Sequence, residues 1–457
     1  MRKAIRLRAF PYVFQVISLL VFLCLVANGF LTGGPESYAA GLSNIVRKTN
    51  LATLLVWGVW WPGLVLATIL VGRLWCMACP MELVTNVTRR ISSALGLRGL
   101  ALPKWLRMGF GILLAYIILQ FAVAGFQTHR TPLYTSYVLM GLLLLAALAG
   151  ILFREPRAFC KGLCPAALLL DLYSRLSPVT LVNRSDDTCS GCETKDCVKE
   201  ENRRRLDARS CPSYLRPYDL DVDDPCVLCF QCAKVCPHDN IAFGAARSGV
   251  TRRAVKALGI APAIFVFLAS GFVTHELFAE TKALDEIFHA VPTFLSNAFH
   301  APGLFKWLEA VWFLFILPAA VCGILWLTTL LLRSGRGVGN CMRQAALFLI
   351  PVIAAGHAIK ALIKINSWGA FLPGALREPI GLERAKAIAA KTISAPGTLI
   401  PETILSAVVA LILAVALIFA ARAIRKHLDE AIRMPAYVGV SLLATLYGVV
   451  IGYLFIQ

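Results

Sequence analysis

The sequence predicts an all-α polytopic membrane protein of about nine transmembrane helices, interrupted by a small polar insert that holds most of its cysteines. Three observations carry this. The chain has 457 residues, 58% hydrophobic and only 16% charged, well under the roughly 25% charge of a soluble domain. Its apolar residues gather in runs of about 20, the length that crosses a bilayer as a helix. Eight of its 15 cysteines fall within residues 189–236.

The expected spans lie near 11–32, 51–72, 107–126, 134–153, 255–275, 307–332, 343–363, 402–422 and 436–456. The first run is longer than the apolar core of a secretory signal, and no small-residue cleavage site follows it. It reads as a retained first span. The formal net charge of +19 follows the loops. Arg2, Lys3, Arg6 and Arg8 precede span one, and Arg73, Arg89, Arg90, Arg98, Lys104 and Arg107 separate spans two and three. Arg333, Arg336 and Arg343, then Arg422, Arg425, Lys426 and Arg433, occupy the next two loops on the same side. The positive-inside rule makes that side cytoplasmic. The loop at 33–50 is nearly neutral, and Arg377, Arg384, Lys386 and Lys391 are a mild outer exception. The basicity therefore orients the chain and does not call for nucleic acid. This topology in a bacterial inner membrane puts the N-terminus and the insert in the cytoplasm and the C-terminus in the periplasm.

Three blocks follow: a four-span block over 1–180, the cysteine-rich insert over 181–250, and a five-span block over 251–457 whose role the sequence leaves open. The first block contains a repeat. Arg73-Leu74-Trp75-Cys76-Met77-Ala78-Cys79-Pro80 follows span two, and Arg157-Ala158-Phe159-Cys160-Lys161-Gly162-Leu163-Cys164-Pro165 follows span four. Proline suits the first turn of a helix, so 81–94 and 166–177 are expected as surface helices. A duplicated unit of span, dicysteine turn and interfacial helix places equivalent turns side by side. Cys76, Cys79, Cys160 and Cys164 would then converge at the cytoplasmic membrane edge as an additional metal or redox site; the plainer reading is structural thiols at helix starts.

In the insert, Cys226, Cys229, Cys232 and Cys236-Pro237 read C-x2-C-x2-C-x3-C-P, the bacterial ferredoxin run. Cys189, Cys192 and Cys197 form a looser triplet, and Cys211-Pro212 supplies a second Cys-Pro. In two-cluster ferredoxins the last cysteine of a run serves the other cluster. Two [4Fe–4S] clusters are expected, one on Cys189, Cys192, Cys197 and Cys236, the other on Cys226, Cys229, Cys232 and Cys211. Zinc also takes C-x2-C pairs, but the tight triplets and Cys-Pro steps favour iron. A reducing compartment argues against disulfides.

Of the seven histidines, His275 and His357 fall near the outer ends of spans five and seven, where they could serve a metal, a haem b or a quinone site. Interfacial hydrogen bonding is the plainer role. No C-x-x-C-H, Walker loop or dinucleotide fingerprint occurs, so covalent haem, ATP and NAD are not suggested.

The Cys-Pro turns at Cys76/Cys79-Pro80 and Cys160/Cys164-Pro165, with the double-cluster insert from Cys189 to Cys236, resemble the membrane-bound ferredoxin-type proteins that accompany periplasmic nitrate and nitrous-oxide reductases (the NapH and NosR type). They also resemble the iron–sulfur proteins of copper-oxidase assembly (the CcoG type). The resemblance covers residues 50–240; in that family both turns are C-x3-C-P, and here the first is shortened by one residue. It implies an electron-transfer protein, a subunit of an oxidoreductase complex, acting between cytoplasmic clusters, the quinone pool and a periplasmic reductase or other redox subunit. The alternatives are a copper- or iron-reducing assembly factor and a redox-coupled transporter. Intramembrane charge would favour transport, and only Lys360 and Lys364 suggest it.

Overall fold

The computed structural model describes residues 5–39, 41–220, 226–245, 257–332 and 337–456. Arg2, Lys3, Arg333 and Arg336 of the basic runs, and the first residues of the fifth expected span, lie outside them.

The described chain is mostly helical. Its membrane-length helices are α1 (Tyr12–Thr32), α2 (Leu51–Val71), α6 (Pro132–Leu152), α9 (Ile260–Phe278), α11 (Pro302–Leu331), α12 (Val338–Gly369), α13 (Glu402–His427) and α14 (Glu430–Ile456). Eight helices among the described residues are therefore long and apolar enough to cross a bilayer. The third expected span is α5 (Phe110–Gly125), apolar but only 16 residues. At 1.5 Å per residue it reaches about 24 Å, short of a ~30 Å hydrocarbon core. It starts late because Lys104–Arg107 forms a separate short helix before it.

Two compact units make up the chain: Met1–Cys24, Leu66–Ile112 and Leu139–Arg253 form one, and Leu25–Val65, Leu113–Val138 and Ala254–Gln457 the other. The first unit holds every cysteine motif. In it, each dicysteine turn opens on a short helix, α3 (Trp75–Ala78) or α7 (Ala158–Gly162). Beyond Cys-Pro, α4 (Pro80–Ala94) and α8 (Ala167–Ser174) begin. Cys79 is extended at the N-cap of α4 with Pro80 in its first turn, where the missing N–H costs nothing. Gly150 of α6 lets α4 come close, since a side chain there would overlap Thr85 O and Thr88 Oγ1.

The insert contains two strands, β1 (Val179–Asn183) and β2 (Ile241–Ala245), paired antiparallel from Val179 opposite Ala245 to Asn183 opposite Ile241. Their branched and aromatic residues suit a pleated, half-buried surface. Leu181 and Ile241 pack with Leu228, Phe230 and Ala233 in the insert's core.

In the second unit α12 is central: 83% of its apolar window is buried within the molecule, against 22% for α13. Gly271 of α9 faces α11, where a side chain would overlap Phe313 O and Pro318. Two stretches, Leu54–Trp60 and Trp312–Ile316, are π-helical.

Candidate functional site

The strand pairing decides which cysteines meet. Asn183 sits opposite Ile241, so Cys189, six residues on from Asn183, and Cys236, five before Ile241, emerge from one end of the ribbon. Cys189, Cys192, Cys197 and Cys236 line one small cavity, with His238 and Asn240. Cys211, Cys226, Cys229 and Cys232 line another. The Cys211 N–H donates to Cys197 O at 2.8 Å, carrying the chain from the first cavity to the second.

Backbone and amide donors point at the sulfurs. Asn240 Nδ2 donates to Cys189 Sγ at 3.0 Å, and Asn240 N to Cys236 Sγ at 3.4 Å. Lys195 N donates to Cys192 Sγ at 3.4 Å. The N–H groups of Leu228 and Gln231 face Cys226 and Cys229. Leu228 and Phe230 adopt left-handed backbone, φ 48° and 56°; these unfavourable conformations for non-glycine residues turn the loop so that its thiols face inward.

Cys76, Cys79, Cys160 and Cys164 gather in the same unit. Burial, then the neighbouring Cys160, holds the Cys79 thiol well above its ordinary range. Burial pushes Cys160 up, opposed by Arg157. Burial and Cys160 push Cys164 up to about 12. The two copies mirror each other two residues on, where the N–H of Met81 faces Cys79 and that of Ala166 faces Cys164. This i to i+2 relation is the one that Leu228 and Gln231 make in the ferredoxin run.

Ion pairs cross between the repeats. Arg73, three residues before Cys76, pairs with Asp171 on α8 of the other copy at 3.2 Å. Arg157, three before Cys160, pairs with Glu82 on α4 of the other copy at 3.1 Å. Arg209 of the insert joins Glu82 at 3.5 Å. Glu82 and Arg157 side chains are each 1% exposed. Arg157 also acts on the Cys229 thiol, so one buried guanidinium serves both the turns and the insert.

These surroundings fit an anionic iron–sulfur cluster. Every donor in each group of four is a thiol, backbone N–H groups already face the sulfurs, and the buried Arg157 guanidinium lies beside Cys160 and Cys229. Crowded buried thiols resist ionisation on their own, and a metal relieves that crowding by taking the place of the protons.

Comparison with known proteins points the same way. Residues 53–98 and 137–182 each match the family model of a 4Fe-4S binding domain. The chain thus carries a 4Fe–4S binding domain in two segments, within a multi-pass arrangement of apolar helices. The match supports an iron–sulfur protein of ferredoxin type. The two segments coincide with the duplicated turns and stop before the eight cysteines of the insert. An uncharacterised protein of Methanocaldococcus jannaschii is 26% identical over 137 residues, covering 26% of this chain and 50% of the relative; the chain spans about half the length of that curated relative. No solved structure matches.

His275 and His357 have different surroundings. His357 packs against Phe272 and Trp61, with ring centres 5.4 and 6.2 Å away. His275 instead meets His289 and Glu309. Sequence reasoning missed Glu309. Its signal was a lone carboxylate at the head of an apolar run, the kind of residue that marks function in a membrane segment.

Proposed function

We propose that the chain is a membrane-bound electron-transfer protein with three cubane sites. Two are in the insert, on Cys189, Cys192, Cys197 and Cys236 and on Cys211, Cys226, Cys229 and Cys232. The third is formed by Cys76, Cys79, Cys160 and Cys164. The observation that carries the reading is the mirrored gathering of the four turn thiols, with the same N–H-to-sulfur relation as the ferredoxin run, inside the two segments that match a 4Fe–4S binding domain. A bound [4Fe–4S] cluster supplies one-electron chemistry with little change in geometry.

The chain's own residues do the rest. The thiols would hold the iron, the N–H groups would orient and stabilise the sulfurs, and Arg73 and Arg157 would offset the negative charge that a cluster brings into a buried site. Glu82 fixes Arg157 between the turn thiols and Cys229. That continuity supports transfer between the insert and the membrane edge. With the insert cytoplasmic, as the basic loops favour, the electrons would pass between cytoplasmic clusters, the quinone pool and a periplasmic reductase.

The test is iron and acid-labile sulfide per chain, with EPR after dithionite reduction, on anaerobically purified protein. Three cubanes require about twelve iron atoms. About eight, unchanged in Cys76→Ser and Cys160→Ser, would reduce the turn thiols to structural residues. Bound zinc with no iron would end the electron-transfer reading.

A further inference from the structure

The second unit contains a convergence of metal-binding side chains that the cluster sites do not use. His275 lies near the C-terminal end of α9, His289 on α10 (Lys282–Ala298) and Glu309 in α11. His275 Nε2 and His289 Nε2 each lie 2.9 Å from Glu309 Oε1. One ligand atom from each of the three falls within 4.8 Å of the others. Two imidazoles from separate helices are thus aimed at one carboxylate oxygen.

The surroundings fix that aim. His289 Nδ1 contacts Asp285 Oδ1, one turn earlier, at 3.2 Å. A carboxylate on the far nitrogen is what orients a metal-ligating histidine and sets its tautomer. The His275 ring stacks on Phe313 at 4.4 Å with a 5° interplanar angle. Phe313 belongs to the π-helical stretch Trp312–Ile316 that follows Glu309, and such bulges recur at functional sites. Phe288 and Phe305 wall the histidines. Lys306 Nζ reaches Glu309 Oε2 at 3.0 Å, leaving Oε1 as the oxygen both histidines address.

We propose that His275, His289 and Glu309 form a three-ligand site for a divalent transition metal of the zinc class, with its fourth position open. Two imidazoles and a carboxylate suit zinc and its neighbours and not magnesium or calcium, which take oxygen alone. Metal–ligand bonds of about 2.0–2.2 Å place tetrahedral donors about 3.3 Å apart, within a small side-chain movement of the separations here. On binding, the metal displaces any Nε2 proton to solvent, each ring binds as the neutral imidazole with its proton on Nδ1, and His289 keeps that Nδ1–H on Asp285. Glu309 Oε1 exchanges two N–H donors for one cation, while Lys306 stays on Oε2. The site is independent of the cluster reading.

The test uses the full-length, iron-loaded protein in detergent, so that cluster cysteines are occupied, titrated with Zn2+ alone. Expected is one tightly held zinc per chain, with a zinc K-edge first shell of nitrogen and oxygen near ~2.0 Å and no sulfur near ~2.3 Å. His289→Ala and Glu309→Gln abolish that zinc while iron per chain stays at the wild-type value. Asp285→Asn weakens it about 10- to 100-fold, the usual loss on removing an outer partner. No zinc held by wild type, a sulfur shell, or zinc retained in the nearly isosteric Glu309→Gln would each overturn the proposal. Should His289→Ala lose iron, Glu309→Gln decides alone.

Discussion

Glu82→Gln tests whether the crossed ion pairs hold the dicysteine turns together. The carboxylate is 1% exposed, 3.1 Å from Arg157 Nη2 and 3.5 Å from Arg209 Nη2, whose side chains are 1% and 2% exposed. Glutamine keeps the shape and removes the charge, leaving two buried guanidinium groups facing each other without a counter-ion. Breaking a buried pair in this way costs roughly 3–5 kcal/mol, or about two to three and a half powers of ten in the folded-to-unfolded ratio. An anionic cluster offsets part of the loss, so the upper end belongs to cluster-free protein. Asp171→Asn is the internal comparison. Its pair with Arg73 has side chains 17% and 7% exposed, so water shares the charge and the cost should be about 1–2 kcal/mol. Urea unfolding in detergent, run with and without clusters, reads both. The salt response should be small for Glu82→Gln, because buried charges are little screened. A Glu82→Gln protein as stable as wild type, or more stable than Asp171→Asn, would mean that Arg157 and Arg209 are solvated in the fold, and the argument fails.

Other outcomes follow from the same geometry. Cys79→Ser and Cys164→Ser should each lower iron by about four atoms per chain while leaving about eight, read by iron and sulfide assay. Cluster-free protein should lose stability as pH rises. The folded Cys164, Cys226 and Cys229 thiols are pushed up to about 12, 12 and 11, while unfolded thiols ionise near ~8.5. The unfolded chain therefore sheds protons first, and stability present below about pH 8.5 is lost on the way to those folded values. Thermal melts of the loaded protein should not show this alkaline loss, because its thiols no longer titrate. Reporter fusions at the two termini count crossings. Opposite sides require an odd number, so α5 crosses with the other eight; the same side would leave α5 out of the crossing set.

The helices were legible because apolar runs of about 20 residues have few other uses, and α5 fell short only because Lys104–Arg107 uses the residues that would have lengthened it. The duplicated turns were legible as Arg-x-aromatic-Cys with a following Cys-Pro. The sorting of the eight insert cysteines into two fours was an expectation from spacing; Cys211, Cys226, Cys229 and Cys232 line one cavity and Cys189, Cys192, Cys197 and Cys236 another. What gathers them could not be read. β1 and β2 are five residues each, too short for a periodic signal, and their pairing spans the whole insert. The crossed ion pairs were equally hidden: Arg73 and Arg157 looked like part of the basic loops, and nothing local marks Glu82 or Asp171 as their partners. His275 was noticed, but paired with His357 on depth alone. Which neighbour a helix end faces depends on helix rotation, and that is set by contacts such as Gly271 against Phe313.

The crossing of Arg73 to Asp171 and of Arg157 to Glu82 also bears on how the chain matures. Each of these arginines takes its carboxylate from the other copy of the repeat. As the polypeptide is made, Arg73 and Glu82 emerge long before Asp171 and Arg157, so neither crossed pair can form until the second copy arrives. If the turn thiols hold a cluster as proposed, iron delivered in that interval would find two thiols rather than four. On the three-cluster reading proposed above, metallation of the turn site would be tied to completion of the second hairpin. A chain cut between the copies would need both fragments present together, since each carries half of every charge pair and half of the ligands.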